Sequence, residues 1–165
     1  MEIPENTILS SSGNPQRLIV FCLNGQTFGL PIAEVKEVIG LPVLTPVPLA
    51  PAYIAGLANI RGEVMAILRP EVLLQIPNSQ HLPTPRFVLV LNPPTLRSGL
   101  WLSDIPGTIT VFENQIDRQA DLSFLETRAQ ARIKALVKLD EQLILLLSGP
   151  DLVPNHTTSS LNPAH

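Results

Sequence analysis

Residues 53–69 run Tyr53-Ile54-Ala55-Gly56-Leu57-Ala58-Asn59-Ile60-Arg61-Gly62-Glu63-Val64-Met65-Ala66-Ile67-Leu68-Arg69. Two apolar runs of strand length flank one Asn-Ile-Arg-Gly step, and Arg61-Gly62 is where a tight connection can form. The pattern predicts strands over residues 57–60 and 63–68, with Arg61 ending the first. A guanidinium beside a turn glycine, between strands that read as buried, is an unusual place for a charge, so Arg61 is expected to be held by a partner group.

The same strand-and-turn grammar extends in both directions. Upstream, residues 17–23 are apolar on both faces, Leu18, Val20 and Cys22 on one and Ile19, Phe21 and Leu23 on the other, which predicts a strand buried on both sides. Asn24-Gly25 is a two-residue hairpin signal, and residues 26–30 are the return strand. Pro31 is expected to start a short helical turn over residues 32–38, closed by Gly40. Further strands are predicted at residues 43–47, 87–91, 99–102, 133–139 and 142–147. A helical turn is predicted from Pro70, a weaker hairpin turn at Asp140-Glu141, and a short helix around Ala129. Residues 1–16 read as a flexible leader, 77–85 as a connector and 154–165 as a disordered tail. The 17 prolines argue against any long helix. The fold class is therefore all-β, barrel-like or sandwich; periodicity alone does not choose between one barrel and two.

The length of 165 residues suits one domain with its own core. Charged residues make up 15%, against roughly 25% in an average domain, and such a lightly charged surface is compatible with protein–protein contact. The net charge of −3, the lack of consecutive basic residues and 4% aromatics argue against a nucleic-acid surface. Apolar runs such as residues 143–147 fall far short of the roughly 18–20 residues of a membrane span, so no direct membrane insertion is expected. The N-terminus lacks a secretory pattern. Cys22, the 1 cysteine, is expected to be a buried, inert thiol in a reducing cytoplasm.

Candidate chemistry is sparse. His81, His156 and His165 have no cysteine or carboxylate at ligand spacing, so neither a zinc site nor histidine catalysis is expected. Nucleotide-binding glycine motifs and a Gly-x-Ser-x-Gly elbow are absent from the sequence, and the carboxylates are scattered. No cofactor, no metal and no enzymatic activity are expected. Glu37 and Arg61 stand out: either two unrelated surface charges, or a contact tying the helical turn to the sheet.

The motifs resemble the CheW family, the adaptor domain of bacterial chemotaxis arrays. The stretch from Leu18 through Gly29-Leu30-Pro31-Ile32 resembles that family's opening hairpin, and Val35-Lys36-Glu37-Val38 its Val-x-Glu step. Pro48, Ala50-Pro51-Ala52-Tyr53-Ile54-Ala55-Gly56 and Asn59-Ile60-Arg61-Gly62 follow in the family's order and spacing. Matches continue at Gly99-Leu100-Trp101-Leu102 and from Ile133 to Leu147, with Ala66, Arg69, Ser103, Ala135 and Glu141 standing where the family has other residues. The resemblance covers residues 17–153.

It implies two SH3-like five-stranded β-barrels sharing one core, with short helical turns. It also implies a non-catalytic cytoplasmic adaptor with two partners. These are the regulatory domain of a CheA-type histidine kinase and the cytoplasmic tip of methyl-accepting chemotaxis-type receptors. Glu37 and Arg61 match positions that lie together near the family's receptor-facing groove, and Asn59, Gly62, Val38 and Tyr53 join them as expected partner-binding residues. Two alternatives stay open: an adaptor of this fold in another pathway, such as pilus motility, and a small β-barrel ligand binder.

Overall fold

Eleven strands carry the computed structural model, which describes residues 13–92, 97–125 and 127–152. They are β1 (Pro15–Leu23), β2 (Gln26–Pro31), β3 (Val35–Gly40), β4 (Ile54–Ile60), β5 (Glu63–Leu68), β6 (Phe87–Leu91), β7 (Ser98–Leu102), β8 (Gly107–Phe112), β9 (Ile116–Asp117), β10 (Ile133–Leu139) and β11 (Gln142–Leu147). Single helical turns occupy Pro70–Leu73, Thr127–Gln130 and Gly149–Leu152. Of the segments read as leader and tail, residues 1–12 and 154–165 lie outside the described residues, and Pro15 and Gln16 begin β1.

Local chemistry makes the hairpins. Leu23 pairs with Gln26, Ile60 with Glu63 and Leu139 with Gln142, so each of these connections has two residues. Asn24 and Gly25 adopt φ of 49° and 86°, and Arg61 and Gly62 adopt 53° and 82°. Positive φ at both central residues twists a turn to match the strands it joins, and glycine takes the second position without a Cβ penalty.

The strands form two sheets. One has the order β8-β1-β2-β11-β10-β9, the other β3-β6-β7-β5-β4. The second has the five strands expected of a small barrel; the first has a sixth, the two-residue β9. Each sheet contains one parallel pair, β2 with β11 and β5 with β7. The β3–β7 unit is continuous in sequence and sits inside the other, which is assembled from both ends of the chain.

Alternation along the strands divides side chains among three apolar clusters. Leu18, Val137, Ile144 and Leu146 fill the first barrel, and Ala58, Met65, Ile67 and Val88 the second. Residues of opposite parity, including Ile19, Phe28, Leu68, Leu89, Leu100 and Leu145, form a larger core drawn from both sheets. β1 is apolar on both faces because each face serves a different core. Burying one such leucine or phenylalanine stabilises by roughly 1.5–3 kcal/mol. The structure thus has two barrels around a shared core.

Several local expectations are corrected. The helical turn predicted over residues 32–38 is a 3-10 turn at Ile32–Glu34 followed by β3. β-branched Val35, Val38 and Ile39 favour the extended form, and Val35 and Ile39 pack inward. The strand predicted at residues 43–47 is reduced to one bridge, Thr45 with Leu57, because Pro42, Pro46 and Pro48 have no N–H to donate. Cys22 is exposed, not buried. It shares a face with Leu18 and Val20, but β8 pairs with β1 only as far as Val20, so that face opens to solvent at Cys22. β4 starts at Ile54, three residues earlier than predicted, and β8 and β9 were not predicted.

Candidate partner-binding surface

The β4–β5 hairpin projects Arg61 at its tip. Its side chain is 67% exposed, and its Nη1 donates to Glu37 Oε2. Glu37 lies on β3, not at a helical turn, and Arg61 is the first residue of the turn, not the last of a strand. β3 and β4 are the two edge strands of the five-stranded sheet. The ion pair therefore spans the seam where that sheet curls into a barrel, beside the Thr45–Leu57 bridge.

Further charges gather there. Arg97 pairs with Glu63, and Lys36 acts on both Glu37 and Glu63. The Arg61 hydrogen bond holds the Glu37 carboxyl below the usual carboxylate range, and Glu37 in turn raises the Arg61 guanidinium. Glu63 is lowered in the same way by its bond to Arg97. Apolar side chains interrupt this charged strip. Val64, opposite Asn59 in the hairpin register, is 61% exposed, and Val38 is 37% exposed. Asn59 and Gly62 are also exposed. An exposed apolar contact ringed by paired charges is the composition of a protein-docking patch.

Five of the six sequence-predicted residues (Glu37, Val38, Asn59, Arg61 and Gly62) thus lie on β3 or the β4–β5 hairpin, joined by the ion pair. Tyr53 does not join them. It precedes β4 at the opposite end of that strand, eight residues from Arg61 and roughly 25 Å away at strand rise. It is half-buried against the shared core, and burial raises its phenol pKa. Lys36, Glu63, Val64 and Arg97 were missed. Glu63 and Val64 belong to the turn's own flank, where a hairpin reading places them beside Arg61; Arg97 had no local signal.

Arg69 shows how one departure from the family pattern is accommodated. Its guanidinium lies 4.9 Å from the Trp101 ring centroid and donates to the carbonyls of Ala52 and Ile54 at 2.9 and 3.3 Å. The Trp101 indole donates to Glu71 at 3.2 Å. Among the described residues no cluster of three metal-ligating side chains occurs, and no helix is long and apolar enough to cross a membrane.

Known proteins share this architecture. The family model described as "CheW-like domain" matches residues 17–156. The chain is 28% identical over 141 residues to the chemotaxis protein CheW of Rhizobium meliloti, covering 85% of this chain and 88% of that one. It is 22% identical over 148 residues to the CheW of Bacillus subtilis, covering 90% and 93%. A crystal structure of the scaffolding protein TtCheW from Thermoanaerobacter tengcongensis superposes with a TM-score of 0.72 at 22% identity, covering 84% of this chain and 92% of that one. With the family model spanning most of the chain and both barrels reproduced, this protein belongs to the CheW-like domain family.

Proposed function

We propose that the protein is a non-catalytic cytoplasmic adaptor that couples a CheA-type histidine kinase to the cytoplasmic tip of a methyl-accepting-type receptor. The observation that carries this reading is the Glu37–Arg61 pair, set on an exposed strip with Val38 and Val64 at the seam of the second barrel. The names of the relatives, chemotaxis proteins, and of the similar solved structure, a scaffolding protein, support it. The mechanism is docking. Val38 and Val64 offer apolar contact to a receptor helix hairpin, in the helix-in-groove manner, while Arg61 and Glu37 fix its register through charge. The kinase pairs its own CheW-like regulatory domain with strand edges elsewhere on the molecule.

Titration calorimetry against the regulatory domain of each CheA-type kinase of the source organism tests this. Saturable binding to one, with the negative heat-capacity change of apolar burial, identifies the pathway, whether chemotaxis or pilus motility. Absence of binding to every such domain would remove the kinase from the proposal.

A further inference from the structure

Tyr53 opens a different site. With Pro51, Val72, Leu73, Arg128 and Arg132 it lines a cavity of about 610 Å³. That cavity is built from the segment leading into β4 and the Pro70–Leu73 turn of one barrel and from the segment leading into β10 of the other. Two arginines face it, and among the described residues no aspartate or glutamate does. This is unusual in a chain with 14 acidic and 11 basic residues.

Neither arginine makes an ion pair among the described residues. Arg132 donates to the carbonyls of Leu152 at 3.4 Å and Arg128 at 2.9 Å, which uses two of its five N–H groups. Those two bonds fix the guanidinium plane at the cavity. Burial lowers the Arg132 pKa, the Tyr53 phenol acts in the opposite sense, and the Arg128 charge lowers it further. A half-buried cation beside a like charge is relieved by an anion, and two guanidiniums present the forked donors that carboxylate and phosphate oxygens match. The remaining wall is mostly apolar, with Pro51, Val72, Leu73 and the body of Tyr53, and Gln75 adds one neutral polar side chain. The volume lies within the roughly 300–1,000 Å³ of small-molecule sites.

We infer that this inter-barrel cavity binds a small organic oxyanion, a carboxylate or phosphate monoester with an apolar or aromatic body. The oxyanion sits on Arg128 and Arg132, and the body lies against Tyr53, Val72 and Leu73. The site is separate from the Glu37–Arg61 strip, so the inference stands apart from the adaptor reading.

The test uses the full chain at low ionic strength, where exposed charges are least screened. Benzoate, phenyl phosphate and inorganic phosphate are titrated while amide shifts of the 15N-labelled protein are recorded. The expected result is saturable binding of benzoate or phenyl phosphate, with shifts centred on residues 52–53, 72–75 and 128–132. The stronger of the two probes identifies the oxyanion. Arg128→Gln, at an exposed position, should weaken binding about tenfold or more with an unchanged melting temperature, and Arg132→Lys should weaken it while keeping the charge. Three results would overturn the inference: no saturable shifts with any probe, equal binding by folded Arg128→Gln, or inorganic phosphate binding as tightly as phenyl phosphate.

Discussion

Glu37 and Arg61 join the two edge strands of one sheet: Glu37 sits on edge strand β3, and Arg61 on the turn that ends edge strand β4. In an otherwise ladder-paired sheet, this contact is made by side chains alone. A partner docked there would meet both edges at once, so the pair's value lies in geometry and surface charge more than in fold stability, since exposed ion pairs contribute little.

Arg61→Glu should abolish receptor coupling and leave the fold intact, because the residue is two-thirds exposed at the tip of a hairpin. Far-UV circular dichroism and the melting temperature check the fold; co-sedimentation with receptor-bearing membranes checks coupling. The exchanged pair, Glu37→Arg with Arg61→Glu, should regain the intramolecular contact. Coupling that returns with it means the receptor reads the geometry of the pair; coupling that stays lost means it reads the Arg61 charge itself.

Acid should weaken the seam in a defined range. The Glu37 and Glu63 carboxyls lie below their ordinary value of 4.5 in the folded protein, so the folded state binds fewer protons than the unfolded one. Their stabilisation is complete above about pH 4.5 and is lost as pH falls through the lowered folded values. A melting-temperature series from pH 7 to pH 3 should be steeper below 4.5 in the wild type than in Glu37→Gln. Parallel curves would show that the pair does not contribute.

Phe28 is 1% exposed in the core shared by the barrels. Phe28→Ala should destabilise by about 3–5 kcal/mol, measured in urea. Because that core draws on both sheets, loss should appear as one cooperative transition in both Trp101 fluorescence and far-UV signal. Two separated transitions would mean that the barrels unfold independently.

Gly56→Ala should destabilise by about 1–3 kcal/mol through overpacking. A Cβ there would lie 2.9 Å from the Thr45 carbonyl oxygen and 3.2 Å from Leu44 Cβ. The strain should fall on the Thr45–Leu57 bridge, so hydrogen exchange at the Thr45 and Leu57 amides should accelerate more than at Met65.

The exposed Cys22 thiol should react with an aromatic disulfide in the native protein nearly as fast as in urea, followed by released thiolate absorbance. A strongly protected thiol would return Cys22 to the interior.

Features whose cause is local were legible in the sequence. Asn24-Gly25, Arg61-Gly62 and Asp140-Glu141 each close a two-residue hairpin, as read. Residues 32–40 were misread because the spacing of Ile32, Val35 and Ile39 fits a helix as well as a strand, and β-branching decides between them. β8 was passed over although Thr108-Ile109-Thr110-Val111 alternates, with Val111 buried and Thr110 exposed. The parallel pairings of β2 with β11 and β5 with β7 leave no local trace, so the choice of two barrels rested on the family resemblance. That resemblance also pointed to Glu37 and Arg61, whose contact joins strands 24 residues apart. Tyr53, expected with them to be partner-binding, lies at the other end of β4 because the intervening chain is extended.

The nesting of one barrel within the other bears on how the chain is made. Strands β3–β7 have every sheet partner within residues 35–102, so this unit can close while later residues are still being synthesised. The β1–β2 hairpin, made first, must wait for β11, the last strand, before Phe28 and Gly29 gain their neighbours Leu145 and Leu146. At elongation rates of roughly 5–20 residues per second, that leaves an apolar hairpin uncovered for roughly 6–20 s on the ribosome. A chain terminated before residue 142 would never cover it.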